Sequence, residues 1–243
     1  MVWHAAGLSV GQGADLKMEE SKMTIPNRSS AVMQSRYWPK SSADDFPTPP
    51  WATRALCEYL ARITDGAIRY QACREPTANR GHMVHPLREY FASVEASDVF
   101  DYGAGFPVKD YLSGPLPAMT DWTITNPPFK SAQAFIARAL KCSRVGVAVL
   151  VRIAFLEGMA RHRELFSVHP PAVVLQFAER VVIHQGRLSP EGSTATAYCW
   201  MMFNTVPAKQ TKLDWIAPCR KRLERKSDYN QANGGKQNDD HHD

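Results

Sequence analysis

The chain has 243 residues, of which 44% are hydrophobic, and this is enough for one domain with a sizeable core. No run of about 18 apolar residues occurs, so we expect no membrane span. The formal net charge of +5 is compatible with a polyanionic partner, but many basic proteins bind no nucleic acid.

The two ends of the chain differ in composition from its middle. Residues 1–40 are rich in Ser, Gly, Gln and Met without a sustained period, so we expect a disordered leader there. They lack the basic flank and apolar core of a secretion signal, which predicts a cytoplasmic location. We expect a single domain over residues 41–218 and a basic, then polar, flexible tail over residues 219–243. The cluster CRKRLERK in that tail is either a solvated helix face or a phosphate-binding patch.

The cysteines are widely spaced, odd in number and mostly surrounded by apolar residues. There is no CxxC pair, and no histidine has cysteine or carboxylate partners at ligand spacing. The sequence therefore predicts reduced core cysteines, with neither a disulfide framework nor a metal site.

Predicted helices and strands alternate along the chain. WATRALCEYLARI, residues 51–63, has apolar residues at helical spacing, and a short strand follows over residues 68–75. A loop leads into a helix that carries Met83 and Leu87, and the next strand ends in VEASDV. The strand TIT comes directly before Asn126.

The second half continues this alternation. SAQAFIARALKCS, residues 131–143, is an amphipathic helix, and GVAVLVRI, residues 146–153, has the β-branching of a buried parallel strand. A helical piece over residues 158–166 precedes two β-rich segments, AVVLQFAERVVI and TATAYCWMMF. This order predicts an α/β fold with a Rossmann-like, doubly wound and mostly parallel sheet.

Polar residues stand where the predicted strands end. Glu75 leads into the loop PTANRG, where Gly81 opens a helix whose free N–H groups suit a polar or anionic ligand. Asp98 ends the second strand and could accept both hydroxyls of a ribose, with Asp101 as a competing candidate. Asp110 either faces the purine of the same nucleoside or is a surface acid of a loop. Because ligands of such sheets bind at the carboxyl ends of the strands, these residues predict one nucleoside-cofactor site.

The tetrapeptide NPPF, residues 126–129, follows the TIT strand. Its prolines have no N–H for the strand ladder and fix φ, so they end the strand and stiffen the bend. This rigidity indicates that Asn126 and Phe129 are held in place for a purpose.

These motifs, in this order, resemble those of S-adenosylmethionine-dependent DNA amino-methyltransferases, particularly the prophage-type adenine-N6 enzymes. FPTP, residues 46–49, resembles the FxTP motif of that family, and EPTANRG, residues 75–81, resembles its (D/E)PxxGxG loop. NPPF resembles its catalytic motif, and LVRIAFLEG and GSTATAYCWMMF also resemble the phage group. The resemblance implies S-adenosylmethionine as the cofactor and the methyltransferase type of Rossmann-like sheet, with an antiparallel C-terminal strand.

The resemblance also implies the site residues. Those implied for cofactor binding are Phe46, Thr48, Pro49, Glu75, Pro76, Thr77, Gly81, Asp98, Asp110 and Asn126, and those implied for catalysis are Asn126, Pro127, Pro128 and Phe129. In this chemistry the Asn126 side-chain oxygen and the Pro127 carbonyl accept the amino hydrogens of adenine. The nitrogen lone pair is thereby localised toward the methyl group. Phe129 stacks on the base after it has been flipped out of the duplex.

One residue departs from the family pattern, because Asn79 stands where the first glycine of the cofactor loop is expected. Asparagine is the non-glycine residue that best tolerates positive φ, so the loop can keep its shape. A side chain at this position could still crowd the cofactor.

The expected partner is double-stranded DNA. Little chain remains for a recognition domain, so we expect relaxed or short sequence recognition, or help from a protein partner. Whether the protein forms a homodimer is left undecided by the sequence. The alternatives are a target at cytosine N4, a methyltransferase acting on an RNA base or a protein glutamine, and a catalytically inactive DNA-binding relative. FPTP ahead of the cofactor loop favours DNA, and the presence of Asn126 favours an active enzyme.

Overall fold

The structure is a computed structural model that describes residues 44–230. The leader expected over residues 1–40 and the tail beyond residue 230 lie outside the described residues. Within the described part, no helix is both long and apolar enough to cross a bilayer.

Helices and strands alternate as the sequence predicts. The α-helices are α1 (Pro50–Ile63), α2 (Val84–Arg88), α3 (Ala132–Leu140), α4 (Met159–Arg161), α5 (Arg220–Leu223) and α6 (Ser227–Asn230). The strands are β1 (Ala72–Glu75), β2 (Ser93–Ala96), β3 (Thr120–Thr125), β4 (Ser143–Arg152), β5 (Val173–Phe177), β6 (Tyr198–Asn204) and β7 (Lys212–Ile216). Turns of 3₁₀-helix cover Ala67–Tyr70 and Ile153–Leu156, and a π-helical turn covers His162–Phe166.

The strands of the described part form one sheet in the order β2-β1-β3-β4-β6-β5-β7. The pairs β1/β2, β1/β3, β3/β4 and β5/β7 are parallel, whereas β6 is antiparallel to both of its neighbours. The predicted fold class, a mostly parallel and doubly wound α/β sheet, is confirmed. The antiparallel strand is the penultimate one, β6, and the last strand, β7, runs parallel to β5.

Two strands differ from the sequence prediction for local reasons. The predicted first strand begins only at Ala72, because Gly66 adopts a left-handed conformation (φ 79°) and starts a 3₁₀ turn over Ala67–Tyr70. Strand β7 was not predicted at all. It lies at the edge of the sheet, and of its residues only Ile216 is buried. Its alternation is only five residues long, and its apolar residues Leu213 and Trp215 are exposed, so the sequence signal is weak.

Strand β4 lies at the centre of the core. Its residues Ala148 and Leu150 belong to the cluster that also contains the apolar side of α1, whereas Val147 and Val149 belong to the cluster that contains α3. Both faces of the sheet are therefore covered, which explains the continuous apolar run in this strand. The polar loops follow the carboxyl ends of the parallel strands β1, β3 and β4.

The segment from residue 219 to residue 230 packs on the domain, although the sequence predicts a flexible tail from residue 219. Cys219 and Leu223 are buried in the cluster that contains α1. Three arginines of the segment form ion pairs, namely Arg220–Glu224, Arg222–Glu58 and Arg225–Glu89. Much of the charge of the CRKRLERK cluster is therefore neutralised within the molecule.

Arg54 joins this segment to α1. Its guanidinium is almost fully buried, with 3% of the side chain exposed, and it donates hydrogen bonds to Glu89, to Asp228 and to the main-chain oxygen of Leu223. Removing the cation would leave the Asp228 carboxylate, which is 7% exposed, without a charged partner, whereas Glu89 would keep Arg225. We expect Arg54→Met to lower the free energy of unfolding by about 3 kcal/mol.

The matched control is Arg222→Met, which removes an ion pair whose arginine side chain is 63% exposed. Because water already solvates such a pair, we expect a loss of at most about 1 kcal/mol. Urea unfolding of both variants measures the difference. Equal losses would show that Arg54 does not fasten the segment.

Candidate active site

The carboxyl ends of β1 and β3 border a cavity of about 240 Å³. Its wall combines the segment before α1, the loop after β1, the residues after β2 and the residues after β3. The lining residues are Asp44, Phe46, Thr48, Pro76, Thr77, Ala78, Asn79, His82, Met83, Asp98, Val99, Tyr102, Asp110, Tyr111, Leu112, Asn126, Pro128, Ser131 and Phe135. Four separate parts of the chain thus meet at one edge of the sheet, which is where ligands of doubly wound sheets bind.

The structure brings most of the predicted cofactor residues to this cavity. Those that line it are Phe46, Thr48, Pro76, Thr77, Asp98, Asp110 and Asn126, and those that do not are Pro49, Glu75 and Gly81. Of the residues predicted for catalysis, Asn126 and Pro128 line the cavity, whereas Pro127 and Phe129 do not.

Glu75 ends β1 and is fully buried beneath the cavity wall. Its Oε1 atom accepts hydrogen bonds from the Thr77 N–H at 2.8 Å, the Thr77 hydroxyl at 2.9 Å and the Thr125 hydroxyl at 2.7 Å. Its Oε2 atom finds no partner among the described residues. Burial raises the pKa of this carboxyl to about 7, and the hydrogen bonds only partly oppose that rise. Glu75 therefore ties β1 to β3 and does not face the ligand space.

The cofactor loop, residues 76–81, turns sharply at two positions. Asn79 has a φ of 50° and Gly81 a φ of 88°, both in the left-handed region. A Cβ atom on Gly81 would lie 2.9 Å from the His85 ring, so a larger residue would also require that exposed ring to move. The expectation that asparagine tolerates positive φ at position 79 agrees with this geometry.

The two candidate ribose ligands differ in their placement. Asp98 is 7% exposed, lines the cavity, and accepts main-chain hydrogen bonds from Asn79 at 2.8 Å and Phe100 at 3.0 Å. Burial raises the pKa of its carboxyl, and these hydrogen bonds oppose the rise. Asp101 is exposed, does not line the cavity and instead accepts a hydrogen bond from the Gly103 N–H.

Asp110 is an exposed residue at the rim of the cavity. Its carboxylate accepts hydrogen bonds from the Leu112 N–H and the Ser113 hydroxyl, and the serine bond is the main reason that the pKa of Asp110 is lowered. The residue thus both stabilises its own turn and presents a carboxylate at the rim, so neither of the two alternatives for Asp110 is set aside.

The side-chain amide of Asn126 has a fixed orientation. Its Nδ2 atom donates to the main-chain oxygen of Phe46 and to the Thr48 hydroxyl, each at 3.0 Å. The Phe46 oxygen can only accept, so the NH₂ group must face it and Oδ1 must face away. That Oδ1 atom is shielded from solvent and has no hydrogen-bond partner among the described residues.

The aromatic ring of Phe129 lies next to the side chains of Phe46 and Arg152. Its centroid is 5.2 Å from that of Phe46, and the guanidinium carbon of Arg152, at the end of β4, is 4.0 Å away from it. The main-chain N–H of Phe129 donates a hydrogen bond to the Asp44 carboxylate at 3.0 Å.

Sequence reasoning missed several residues of the cavity. Asp44 precedes the FPTP motif by two residues, and Tyr102 follows Asp98 by four, so nearness to a motif is the signal that could have found them. His82 is a further cavity residue, and it directly follows the cofactor loop. It is 5% exposed and lines the cavity, and burial, followed by the nearby Arg80 charge, lowers its pKa to about 4.

No protein-family model and no curated protein matches this sequence. Solved structures with the same fold do match. A type I restriction-modification system methyltransferase subunit from Streptococcus thermophilus is 11% identical with a TM-score of 0.52, over 76% of this chain and 50% of the other. A modification subunit provisionally assigned to a type I restriction enzyme from Vibrio vulnificus YJ016 is 14% identical with a TM-score of 0.50, over 80% and 51%.

A magnesium protoporphyrin IX methyltransferase from Synechocystis PCC 6803 with bound SAM also matches, with 13% identity and a TM-score of 0.45 over 64% of this chain and 78% of the other. This chain spans about half the length of the two restriction-modification subunits. At these identities the similarity establishes the fold, which is the one found in methyltransferases.

The raised pKa of Glu75 has a consequence for stability. A carboxyl whose pKa is about 7 when folded and about 4.5 when unfolded stabilises the fold below pH 4.5, and that contribution is lost as the pH rises to 7. Glu75→Gln removes the titration and keeps a similar shape. We expect wild-type stability to fall by about 3 kcal/mol relative to this variant between pH 4.5 and pH 7.5.

Urea unfolding of both proteins across this pH range measures the difference. Comparing the two proteins cancels the titration of His82, whose lowered pKa acts in the opposite direction. Parallel stability curves would mean that Glu75 is ionised in the folded state at neutral pH.

Proposed function

We propose that this chain transfers a methyl group from S-adenosylmethionine to the N6 amino group of adenine in DNA. The observation that carries the proposal is the Asn126 amide, whose NH₂ group is fully engaged while its oxygen is buried and unpartnered. An unpaired buried acceptor costs free energy, and an N–H donor from a ligand would recover it. The amino group of a base is such a donor.

The chemistry needs this kind of acceptor. The exocyclic nitrogen of adenine is a weak nucleophile because its lone pair is delocalised into the ring. When Asn126 Oδ1 accepts one amino hydrogen, more of the lone pair stays on the nitrogen and can be directed at the methyl group. The bonds from Asn126 to Phe46 and Thr48 hold the oxygen in place before the substrate arrives, which is the form of alignment that enzymes use most effectively.

The residues around the cavity fit S-adenosylmethionine. Asp98 stands on the wall at the end of the second strand, where a carboxylate can accept ribose hydroxyl hydrogens. The left-handed turns at Asn79 and Gly81 bend the loop main chain around the cavity. When bound, this cofactor supplies an electrophilic methyl group on a positively charged sulfur. Phe46 and Thr48 lie beside Asn126, so we assign them to the methyl-bearing end.

Phe129 supplies the stacking surface for the target base in this proposal. Phe129 follows Asn126 by three residues, and its side chain is only partly buried. The Arg152 guanidinium now covers one side of the ring at 4.0 Å. A flipped base would therefore displace Arg152 from the ring, and the released cation would be close to the phosphates of the same strand.

DNA is favoured as the polymer for two reasons. The sequence has the motif order of DNA amino-methyltransferases, with FPTP ahead of the cofactor loop and NPPF. Two proteins of the same fold are subunits described for restriction-modification systems, one of them as a methyltransferase. The segment between Asp98 and Asn126 leaves no room for a recognition domain, which is consistent with a short or relaxed target.

Asn126→Ala tests the central role of the amide oxygen. Incubation with labelled S-adenosylmethionine and unmethylated DNA, followed by nucleoside mass spectrometry, should give N6-methyldeoxyadenosine for the wild-type protein. We expect kcat to fall by about 100-fold or more in the variant, as when one preorganised hydrogen bond to a reacting group is lost. Asn204→Ala, at an exposed position at the end of β6, is the control and should retain activity.

The products distinguish the alternatives. Label found only in RNA or protein would overturn the DNA assignment, and N4-methylcytosine would correct the target base. Cofactor binding without turnover on any nucleic acid would indicate an inactive relative.

Phe129→Ala tests base stacking. Because a base stacked on an aromatic ring gains about 1–3 kcal/mol, we expect the KM for DNA to rise by about tenfold or more. Phe129→Tyr keeps the ring and should stay close to the wild-type KM, and the affinity for S-adenosylhomocysteine should not change in either variant. A loss of kcat at unchanged KM would show that Phe129 does not hold the base.

A further inference from the structure

Asn79 does more than tolerate a left-handed turn. Its Nδ2 atom donates to the Asp45 carboxylate at 2.7 Å, and its Oδ1 atom accepts a hydrogen bond from the Arg80 N–H at 2.7 Å. The main-chain N–H of Asn79 donates to Asp98 at 2.8 Å. A glycine at this position could make only the last of these three contacts.

Asp45 belongs to a short segment, residues 44–48, that we call the strap. The strap contacts the loop that carries the catalytic motif, because the Asp44 carboxylate accepts from the Phe129 N–H and the Phe46 main-chain oxygen accepts from Asn126. Its other attachment outside the cofactor loop is the Asp45 main-chain oxygen, which accepts from the Gly186 N–H at 2.8 Å. The strap therefore connects the cofactor loop to the loop that carries NPPF, residues 126–129.

The Asp45 carboxylate links the strap to the cofactor loop. It accepts from Asn79 and forms an ion pair with Arg80, at 2.9 Å and 3.1 Å to its two oxygens. Its side chain is 13% exposed, so water screens these contacts only weakly. The Arg80 guanidinium carbon also lies 5.0 Å from the Tyr102 ring on the cavity wall.

We propose that Asn79 is a positioning residue that fastens the cofactor loop to the strap, and that the asparagine is needed there for cofactor affinity. The inference rests on the proposed function, since it takes the cavity to be the S-adenosylmethionine site. It reverses the expectation from backbone conformation alone. Glycine adopts positive φ without strain and would be the better residue if only the shape of the loop mattered.

Asn79→Gly separates the two explanations. We expect the Kd for S-adenosylhomocysteine, measured by titration calorimetry, to rise by about tenfold, because a hydrogen bond to a charged group is lost. The control is Asp65→Gly, since Asp65 has nearly the same φ, 47°, in an exposed turn that does not line the cavity. This variant relieves the same backbone strain and should leave the Kd unchanged.

A swapped pair tests the contact itself. Asn79→Asp places two carboxylates against each other and should also weaken binding. Adding Asp45→Asn restores a hydrogen bond with donor and acceptor exchanged, and Arg80 keeps a carboxylate beside it. We expect the double variant to recover most of the wild-type affinity, which a general loss of stability would not allow.

Hydrogen exchange without any cofactor gives a second readout. In Asn79→Gly the amides of residues 44–48 and 76–81 should exchange faster, whereas Asp65→Gly should leave them unchanged. If the wild-type protein binds no S-adenosylhomocysteine, the proposed function fails, and the exchange data alone then decide whether Asn79 fastens the loop. Wild-type affinity in Asn79→Gly, or unchanged exchange in both segments, would overturn the inference.

Discussion

The arrangement of the site depends on the two hydrogen bonds that the Asn126 amide donates to the strap. They join residues about 80 positions apart in the chain, and they decide which atom of the amide remains for a ligand. The prolines that follow Asn126 end β3 and stiffen the bend, so the main chain cannot easily rotate the amide away. A rigid bend and an engaged NH₂ group together leave an acceptor without a partner.

A second set of contacts stabilises the bend after β3. The Thr77 hydroxyl lies 2.6 Å from that of Thr125 and 3.1 Å from the main-chain oxygen of Asn126, while Glu75 accepts from both threonines. The end of β1 and the end of β3 are thus linked by polar side chains that are buried or partly buried. Burying a carboxyl there is unfavourable, and the raised pKa of Glu75 is the sign of that cost.

Local sequence signals were enough to predict most of the fold but only part of the site. Strands β3 and β4 carry apolar, β-branched runs, and the glycine and proline motifs mark the loops after β1 and β3, so these positions follow from periodicity and turn chemistry. Strand β7 was missed, because its alternation is only five residues long and its apolar residues Leu213 and Trp215 are exposed. The contact of Asn79 with Asp45 was equally invisible, since it joins two loops 34 residues apart and reverses the role expected for that asparagine.

The positions of the basic residues were also only partly predictable from the sequence. From the sequence, CRKRLERK is either a solvated helix face or a phosphate-binding patch. In the structure its arginines pair with Glu58 in α1, with Glu89 after α2 and with Glu224 of the segment itself. Arg152, an isolated cation after an apolar strand, instead stands against Phe129 at the edge of the sheet that carries the cavity. A cation that stacks on a partly buried ring is held by a weak interaction, which a base and its phosphate would replace under the proposed function. Under the proposed function, the position of a cation that can be released beside the base therefore matters more than the number of cations in the chain.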